Sequence, residues 1–282
     1  MEQSGQVEDI GGFYKLVRGR HGMYLANYND QYMGRALIMY GEFSELEWGT
    51  IRQITRPGQF VIEVGANIGA HTVSIAKHIG PKGRVLAIEP QPIVFQNLCA
   101  NLALNSLVNV DAQNCANGDK RSELIIPDID YSVEGNFGGV SMDSLSQATG
   151  GFVREIIPLD DLCYFDVVHT IKIDAEGMEL EIIKGAEKII TKNKPVLYVE
   201  NDRIEKSEDL MRHLMDIGYR LWWDLPRYFN KDNYFGIEQN IYGAAASFNM
   251  VCLHKDVGAD VPGSKEITDP TAHPIKNLRQ GK

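Results

Sequence analysis

Apolar and polar positions along this chain are grouped in blocks whose lengths predict an alternating α/β architecture. Residues 60 to 64, Phe-Val-Ile-Glu-Val, form a short, mostly apolar, β-branched run of the kind buried in a parallel sheet. A glycine-bearing turn follows, and then a helical pattern over 71–79. A second strand at 84–88, a helix at 91–104 and a strand at 108–113 complete a βαβαβ series. Such alternation implies parallel strands joined by right-handed crossovers. Further on, the pattern gives strand 170–173, helix 179–191, strand 196–199 and helix 207–217. The segments 219–223 and 249–254 then read as a final strand pair, joined by an aromatic-rich loop over 224–248.

The flanking segments are less regular. Residues 13–28 and 36–40 read as short strands or an N-terminal cap, and 44–55 as a helix that ends before the Arg56-Pro57-Gly58 turn. The stretch 117–151 is an insertion with short strand candidates at 122–126 and 153–158. Residues 1–12 and 256–282, the latter with Pro262, Pro270 and Pro274, are expected to be flexible. The chain therefore divides into a cap segment over 13–58 and one α/β domain over 59–255.

Composition narrows the function classes. With 44% hydrophobic and 23% charged residues the 282-residue chain has ordinary globular composition. A net charge of −10, with no cluster of Lys and Arg, argues against a nucleic-acid partner. Cys99, Cys115, Cys163 and Cys252 are far apart and form no metal or redox motif. The N-terminus lacks an apolar signal core and no stretch approaches a membrane span, so a cytoplasmic location is expected.

The chemistry-bearing residues follow the predicted strands. In an open α/β sheet, ligands sit beyond the carboxyl ends of the strands. Glu63, Glu89, Asn114, Asp174, Glu200 and Asn201 all end or follow apolar runs, which gathers four carboxylates and two amides on one rim. Gly65 and Gly69 permit a sharp turn and close approach of a ligand, while the free amides of the next helix face it. Glu89 suits the two hydroxyls of a ribose. A dinucleotide fold offers similar parts, but its fingerprint is G-x-G-x-x-G. Here the glycines are spaced G-x-x-x-G, with Glu63 two residues before the first and Asn67 in the central position. That pattern suits a positively charged, methionine-derived sulfonium better than a pyrophosphate. Asn114 and Ala116, after the third strand, would lie beside an adenine.

A second motif, Lys172-Ile173-Asp174-Ala175-Glu176-Gly177-Met178-Glu179, delivers two acids at a strand end. Asp174 can serve as a base there, or it can cap the following helix. Trp222, Trp223, Tyr228, Phe229, Tyr234 and Phe235, interleaved with Arg227, Asn230, Asn233 and Asn240, are candidates for an acceptor wall or for core packing.

Together with Glu63-Val64-Gly65-Ala66-Asn67-Ile68-Gly69, Glu89-Pro90 and Leu159-Asp160-Asp161-Leu162, this motif resembles the FkbM family of S-adenosylmethionine-dependent methyltransferases. The resemblance spans roughly residues 35–254; the last motif is the family-specific one, and Glu63 stands where aspartate is commoner. It implies a class I, Rossmann-like fold: a mostly parallel sheet flanked by helices, an antiparallel final strand and an N-terminal cap. It also implies S-adenosylmethionine as cofactor, held by Glu63, Gly65, Ala66, Asn67, Gly69, Thr72, Glu89, Pro90, Asn114 and Ala116. The expected reaction is O-methylation of a small-molecule or glycan hydroxyl, with Asp174 as base and Glu176 as second candidate. Peptide or amide N-methylation is the family's other implied chemistry. A dehydrogenase and a silent cofactor-binding protein are the alternatives from other classes. Asp174, Glu200 and Asn201 also offer hard oxygen donors resembling the metal site of catechol O-methyltransferases, which would suit a divalent cation.

Overall fold

A computed structural model describes residues 5–139 and 150–275. Three antiparallel strands, β1 (Val7–Asp9), β2 (Tyr14–Arg18) and β3 (Met23–Asn27), and two helices, α1 (Met33–Tyr40) and α2 (Glu45–Ile54), precede the main sheet. The sheet itself comprises β4 (Phe60–Val64), β5 (Arg84–Ile88), β6 (Val110–Gln113), β9 (Thr170–Ile173), β10 (Val196–Glu200), β11 (Tyr219–Asp224), β12 (Asn249–His254) and β13 (Glu266–Ile267). Its order is β13-β11-β12-β10-β9-β4-β5-β6. The five strands from β10 to β6 are parallel, and β12, β11 and β13 run antiparallel to their neighbours. Strand order reverses at β4 and β9, where crossovers depart in opposite directions and leave a crevice.

Both faces of this sheet are covered. Ile62, Val64, Leu86, Ile88, Ile171 and Ile173 project into one core with α6 (Glu179–Lys184), α7 (Glu187–Asn193) and α8 (Ile204–Asp216). The opposite face presents Val61, Val85, Ala87, Tyr198 and Val251 to α2, α3 (Ala70–Ile79) and α4 (Pro92–Leu104). Full burial of each such aliphatic side chain contributes about 1.5–3 kcal/mol. Two charges interrupt the second face: Glu63 on β4 lies directly across from Lys172 on β9.

Four expectations change. Residues 36–40 are part of α1 rather than a strand; the apolar run was too short to separate the two periods, and Asp30 anchors the helix start by accepting from the Gly34 amide at 2.9 Å. The predicted helix 179–191 is broken at Gly185, where a Cβ would lie 2.0 Å from the Gly118 carbonyl oxygen. Asp160 restarts it as α7, accepting from the Lys188 and Ile189 amides at 2.8 and 2.9 Å. The Leu159-Asp160-Asp161-Leu162 motif, helix α5 here, is thus architectural: Leu159 is buried and Asp160 is a cap. The insertion strands, β7 (Ser122–Pro127) and β8 (Gly151–Ile156), pair with each other as a separate antiparallel ribbon; residues 140–149 of the insertion lie outside the described residues.

The C-terminal segment is the fourth change. Its described part, 256–275, packs against the domain: β13 extends the sheet, Arg220 pairs with Glu266, and buried His273 bonds the Asn201 carbonyl at 2.8 Å. The expectation of flexibility at 1–4 and 276–282 falls outside the described residues.

Candidate active site

The carboxyl ends of β4, β5, β9 and β10 open into one cavity of about 1180 Å³. Glu63, Gly65, Ala66, Asn67, Glu89, Pro90, Ala116, Asp174, Glu176 and Glu200 all border it. The turn after β4 is shaped by Gly65 and Asn67, both in the left-handed region with φ of 79° and 51°. A Cβ on Gly65 would lie 1.8 Å from the Asp174 carbonyl oxygen, so this glycine lets the two motif-bearing turns touch. Glu89 accepts the Asn67 amide at 3.0 Å on one oxygen and the Gln91 amide at 2.8 Å on the other. Those bonds fix the carboxylate's orientation and leave a lone pair on each oxygen. Burial pushes Glu89 up to about 7 against the pull of the two amides.

Four predicted residues do not border this cavity. Gly69 caps α3 and abuts Leu98. Thr72 donates to Glu63 Oε2 at 2.7 Å, so it supports that carboxyl from behind. Asn114 donates to the Glu89 and Pro90 carbonyls at 2.8 and 3.2 Å, pinning the turn after β5. Asn201 is buried with its amide nitrogen 3.4 Å from the Met250 sulfur. The proposed Asp174-Glu200-Asn201 metal triad therefore does not converge, and among the described residues no group of three or more His, Cys, Asp or Glu side chains is placed to hold a metal.

Sequence reasoning missed Asn117, three residues beyond Asn114. Its amide nitrogen donates to the Ile157 carbonyl at 2.7 Å, while its buried Oδ1 has no partner among the described residues and the side chain borders the cavity. A buried unpaired oxygen is costly unless a ligand donates to it. Cys115, Leu124, Ile126, Met178 and Ile182 form an apolar slot beside it. An unpaired acceptor, apolar surface and the Glu89 carboxylate on one cavity are the groups that the amine, ring and ribose of an adenosyl group call for. The residues present fit S-adenosylmethionine. Gln91 closes this half by bonding the Phe137 carbonyl at 2.7 Å and the Tyr131 hydroxyl at 3.1 Å.

The other half contains buried charge. Lys172 Nζ lies 3.2 Å from Asp174 Oδ2, and burial, which opposes its charge, is outweighed by Asp174, Glu47 and Glu63. Burial raises both Glu47 and Glu63 to about 7, with Lys172 working in the opposite sense. Glu47 comes from α2 and was not anticipated, because a single acid in an amphipathic helix carries no motif. Asp174 turns a side chain 39% exposed toward the cavity. It does not cap α6, whose start has no side-chain cap; buried Glu179 instead pins the turn before the helix, accepting the Ala175 and Gly177 amides at 3.2 and 3.0 Å. Glu176, at φ 53°, pairs with Arg203. Burial, with Asp174 repulsion next, raises Glu176 to about 7. Glu200 carries a buried oxygen with no partner among the described residues, and burial plus repulsion from Asp174 and Asp202 hold it well above the usual carboxylate range.

The aromatic loop divides between roles. Trp222 is core, while Tyr228 and Arg227 border the cavity. Asn230 and Asn233 serve the loop's own anchoring: Asn230 reaches Glu42 at 2.9 Å, and Asn233 bonds the Ile237 carbonyl at 2.7 Å. Asn240 bonds the Gly243 carbonyl at 2.8 Å.

A model of the methyltransferase FkbM domain matches residues 63–221. Methyltransferase sdnD of Sordaria araneosa is 27% identical over 157 residues, covering 45% of this chain and 60% of that protein. Methyltransferase 1 of Beauveria bassiana is 25% identical over 144 residues, covering 45% and 57%. The chain thus spans under two thirds of the length of these relatives. The crystal structure of methyltransferase FkbM from Methylobacillus flagellatus superimposes with a TM-score of 0.47 at 19% identity, covering 79% of this chain and 55% of that one. With the family model covering more than half of its length and both motifs meeting at one cavity, this chain belongs to the FkbM methyltransferase family.

Proposed function

We propose that this protein is an S-adenosylmethionine-dependent methyltransferase acting on a hydroxyl of a small-molecule acceptor. The observation that carries the reading is the contact between the two family motifs, Gly65 against Asp174, at the mouth of a single cavity. When bound, S-adenosylmethionine supplies an electrophilic methyl group. Glu89 would orient the ribose, Asn117 Oδ1 would receive the adenine amine, and Gly65 and Asn67 would border the methionine portion. Glu63, buried and held by the Thr72 hydroxyl, lies beneath the turn.

Methyl transfer is an in-line displacement, so orientation and proton removal dominate catalysis. Lys172 fixes Asp174 Oδ2, which leaves Oδ1 to take the acceptor proton. Glu176, held by Arg203, borders the same region and orients the acceptor. The test is incubation of the protein with isotopically labelled cofactor and extracts of small metabolites, read by mass spectrometry. Labelled methylated product from the wild type, reduced about a hundredfold or more in Asp174→Asn, supports the reading. Turnover by Asp174→Asn equal to wild type would move the base elsewhere, and a wild type that binds the cofactor without product across the panel would favour a silent binder.

A further inference from the structure

His71, in the first turn of α3, is buried, borders the cavity, and leaves Nε2 without a partner among the described residues. An orphaned buried ring nitrogen is a costly arrangement without a ligand. Its other nitrogen faces protein: Nδ1 lies 3.8 Å from Glu47 Oε1, and the Ser44 backbone acts on the ring. With the hydrogen on Nδ1, facing these neighbours, Nε2 presents a lone pair. A lone pair selects a donor such as a hydroxyl and disfavours a carbonyl or ether.

The ring's surroundings define what carries that hydroxyl. Phe43 packs against His71 with centroids 6.0 Å apart, and Tyr228 stacks on Phe43 at 5.9 Å and 26°. Tyr32 meets Tyr228 edge-on at 6.1 Å. Phe43, Tyr32 and Tyr228 all border the cavity, as does Phe248. This aromatic wall comes from the residue preceding α1, the turn before α2 and the 225–248 loop, away from the β5 and β6 ends that Glu89 and Asn117 follow. Lys172 and Asp174 act electrostatically on His71, which places the imidazole at the Asp174 side of the cavity.

We infer that His71 Nε2 accepts a hydrogen bond from a hydroxyl of the methyl acceptor, and that this acceptor is a hydroxylated ring lying on the Phe43–Tyr228 wall. The inference deepens the methyltransferase reading and rests on it for the meaning of the second half-site. His71 is a binding and specificity residue here; Asp174 remains the proposed base. Burial, aided by Lys172, holds the imidazole down to about 3, so it stays neutral and able to accept across the physiological range.

The experiment uses the full chain, selectively ¹⁵N-labelled at histidine, with phenol as probe and toluene as its control lacking the hydroxyl. Spectra are recorded with and without S-adenosylhomocysteine. The expected result is a His71 spectrum of the Nδ1–H tautomer that does not titrate between pH 5 and 8. Phenol should move the Nε2 resonance toward its protonated position while toluene leaves it in place. His71→Phe, which keeps an aromatic ring, should bind phenol about tenfold more weakly, with S-adenosylhomocysteine affinity unchanged. An Nε2 resonance that ignores phenol, or equal phenol affinity in His71→Phe, would overturn the inference. Absence of S-adenosylhomocysteine binding would count against the methyltransferase reading instead, because the phenol response is also read on the cofactor-free protein.

Discussion

The two halves of the cavity are built by different means. The half at the ends of β4, β5 and β6 relies on backbone: positive-φ turns at Gly65 and Asn67, amides clamped onto Glu89, and a strand-end amide at Asn117. The half facing α1, α2 and the 225–248 loop relies on side chains: Phe43, Glu47, His71, Tyr228 and the Lys172–Asp174 pair. Backbone geometry can be specified by a few consecutive residues, whereas a side-chain wall is gathered from segments as distant as residues 32 and 248. The first half should therefore tolerate little change and serve a fixed ligand. The second can vary without disturbing the fold, as an acceptor site requires.

That contrast is sharpest at Gly65. Gly65→Ala places a methyl into the Asp174 carbonyl at a positive φ, and we expect a loss of stability of roughly 3 kcal/mol or more together with loss of cofactor binding. Urea denaturation and calorimetry measure both. A variant that folds and binds normally would show that the two turns need not touch. Next in size is Asp174→Asn, where turnover should fall about a hundredfold with cofactor affinity retained, since the amide preserves shape and removes the base. Equal losses of affinity and turnover would place Asp174 in the cofactor half.

The buried acids give a pH dependence specific to the second half and its floor. Glu47 and Glu63 titrate near 4.5 in the unfolded chain and at about 7 in the folded protein, because burial disfavours the charged form. Their contribution to stability is thus complete below about pH 4.5 and is lost as pH rises through about 7. Glu47→Gln removes one such loss and should be more stable than wild type at pH 8 by on the order of 1–3 kcal/mol, with the difference shrinking toward pH 4.5. Chemical denaturation across that range decides it; destabilisation at pH 8 would mean that the attraction of Lys172 outweighs burial. The smallest effect expected is for Asn117→Ala, a fivefold to tenfold weakening of cofactor binding, consistent with loss of one hydrogen bond of about 1 kcal/mol. No change would remove Asn117 from the adenine contact.

The same contrast explains what the sequence disclosed. Strands β4, β5 and β9 coincide with their predicted ranges, because short, strongly apolar runs bounded by glycine, proline or acids have few alternative structures. That Glu63, Gly65, Asn67, Glu89 and Asp174 share one cavity rim was legible for the same reason: each sits at or just after the end of such a run. Asn117 went unremarked beside Asn114 because both follow β6, and only hydrogen bonding separates a turn-pinning amide from one with an open oxygen. Glu47 and His71 were illegible. Each is a polar residue in an amphipathic helix, and their meeting over Lys172 depends on how α2 and α3 pack on the sheet. The Asp174-Glu200-Asn201 grouping shows the opposite error. Register does set β10 beside β9, but Asn201 turns into the interior toward Met250, so adjacency along the rim did not become convergence.

On this division, the backbone-built half is the one expected to hold S-adenosylmethionine, through Glu89, while the side-chain half is not. Isothermal titration of S-adenosylmethionine into wild type, Glu89→Ala and His71→Phe tests it directly. We predict measurable binding to the wild type, affinity reduced on the order of a hundredfold in Glu89→Ala, where a charge-assisted pair of contacts is removed, and unchanged affinity in His71→Phe. Equal affinity in Glu89→Ala and wild type, or a loss confined to His71→Phe, would contradict the division of the cavity on which this account rests.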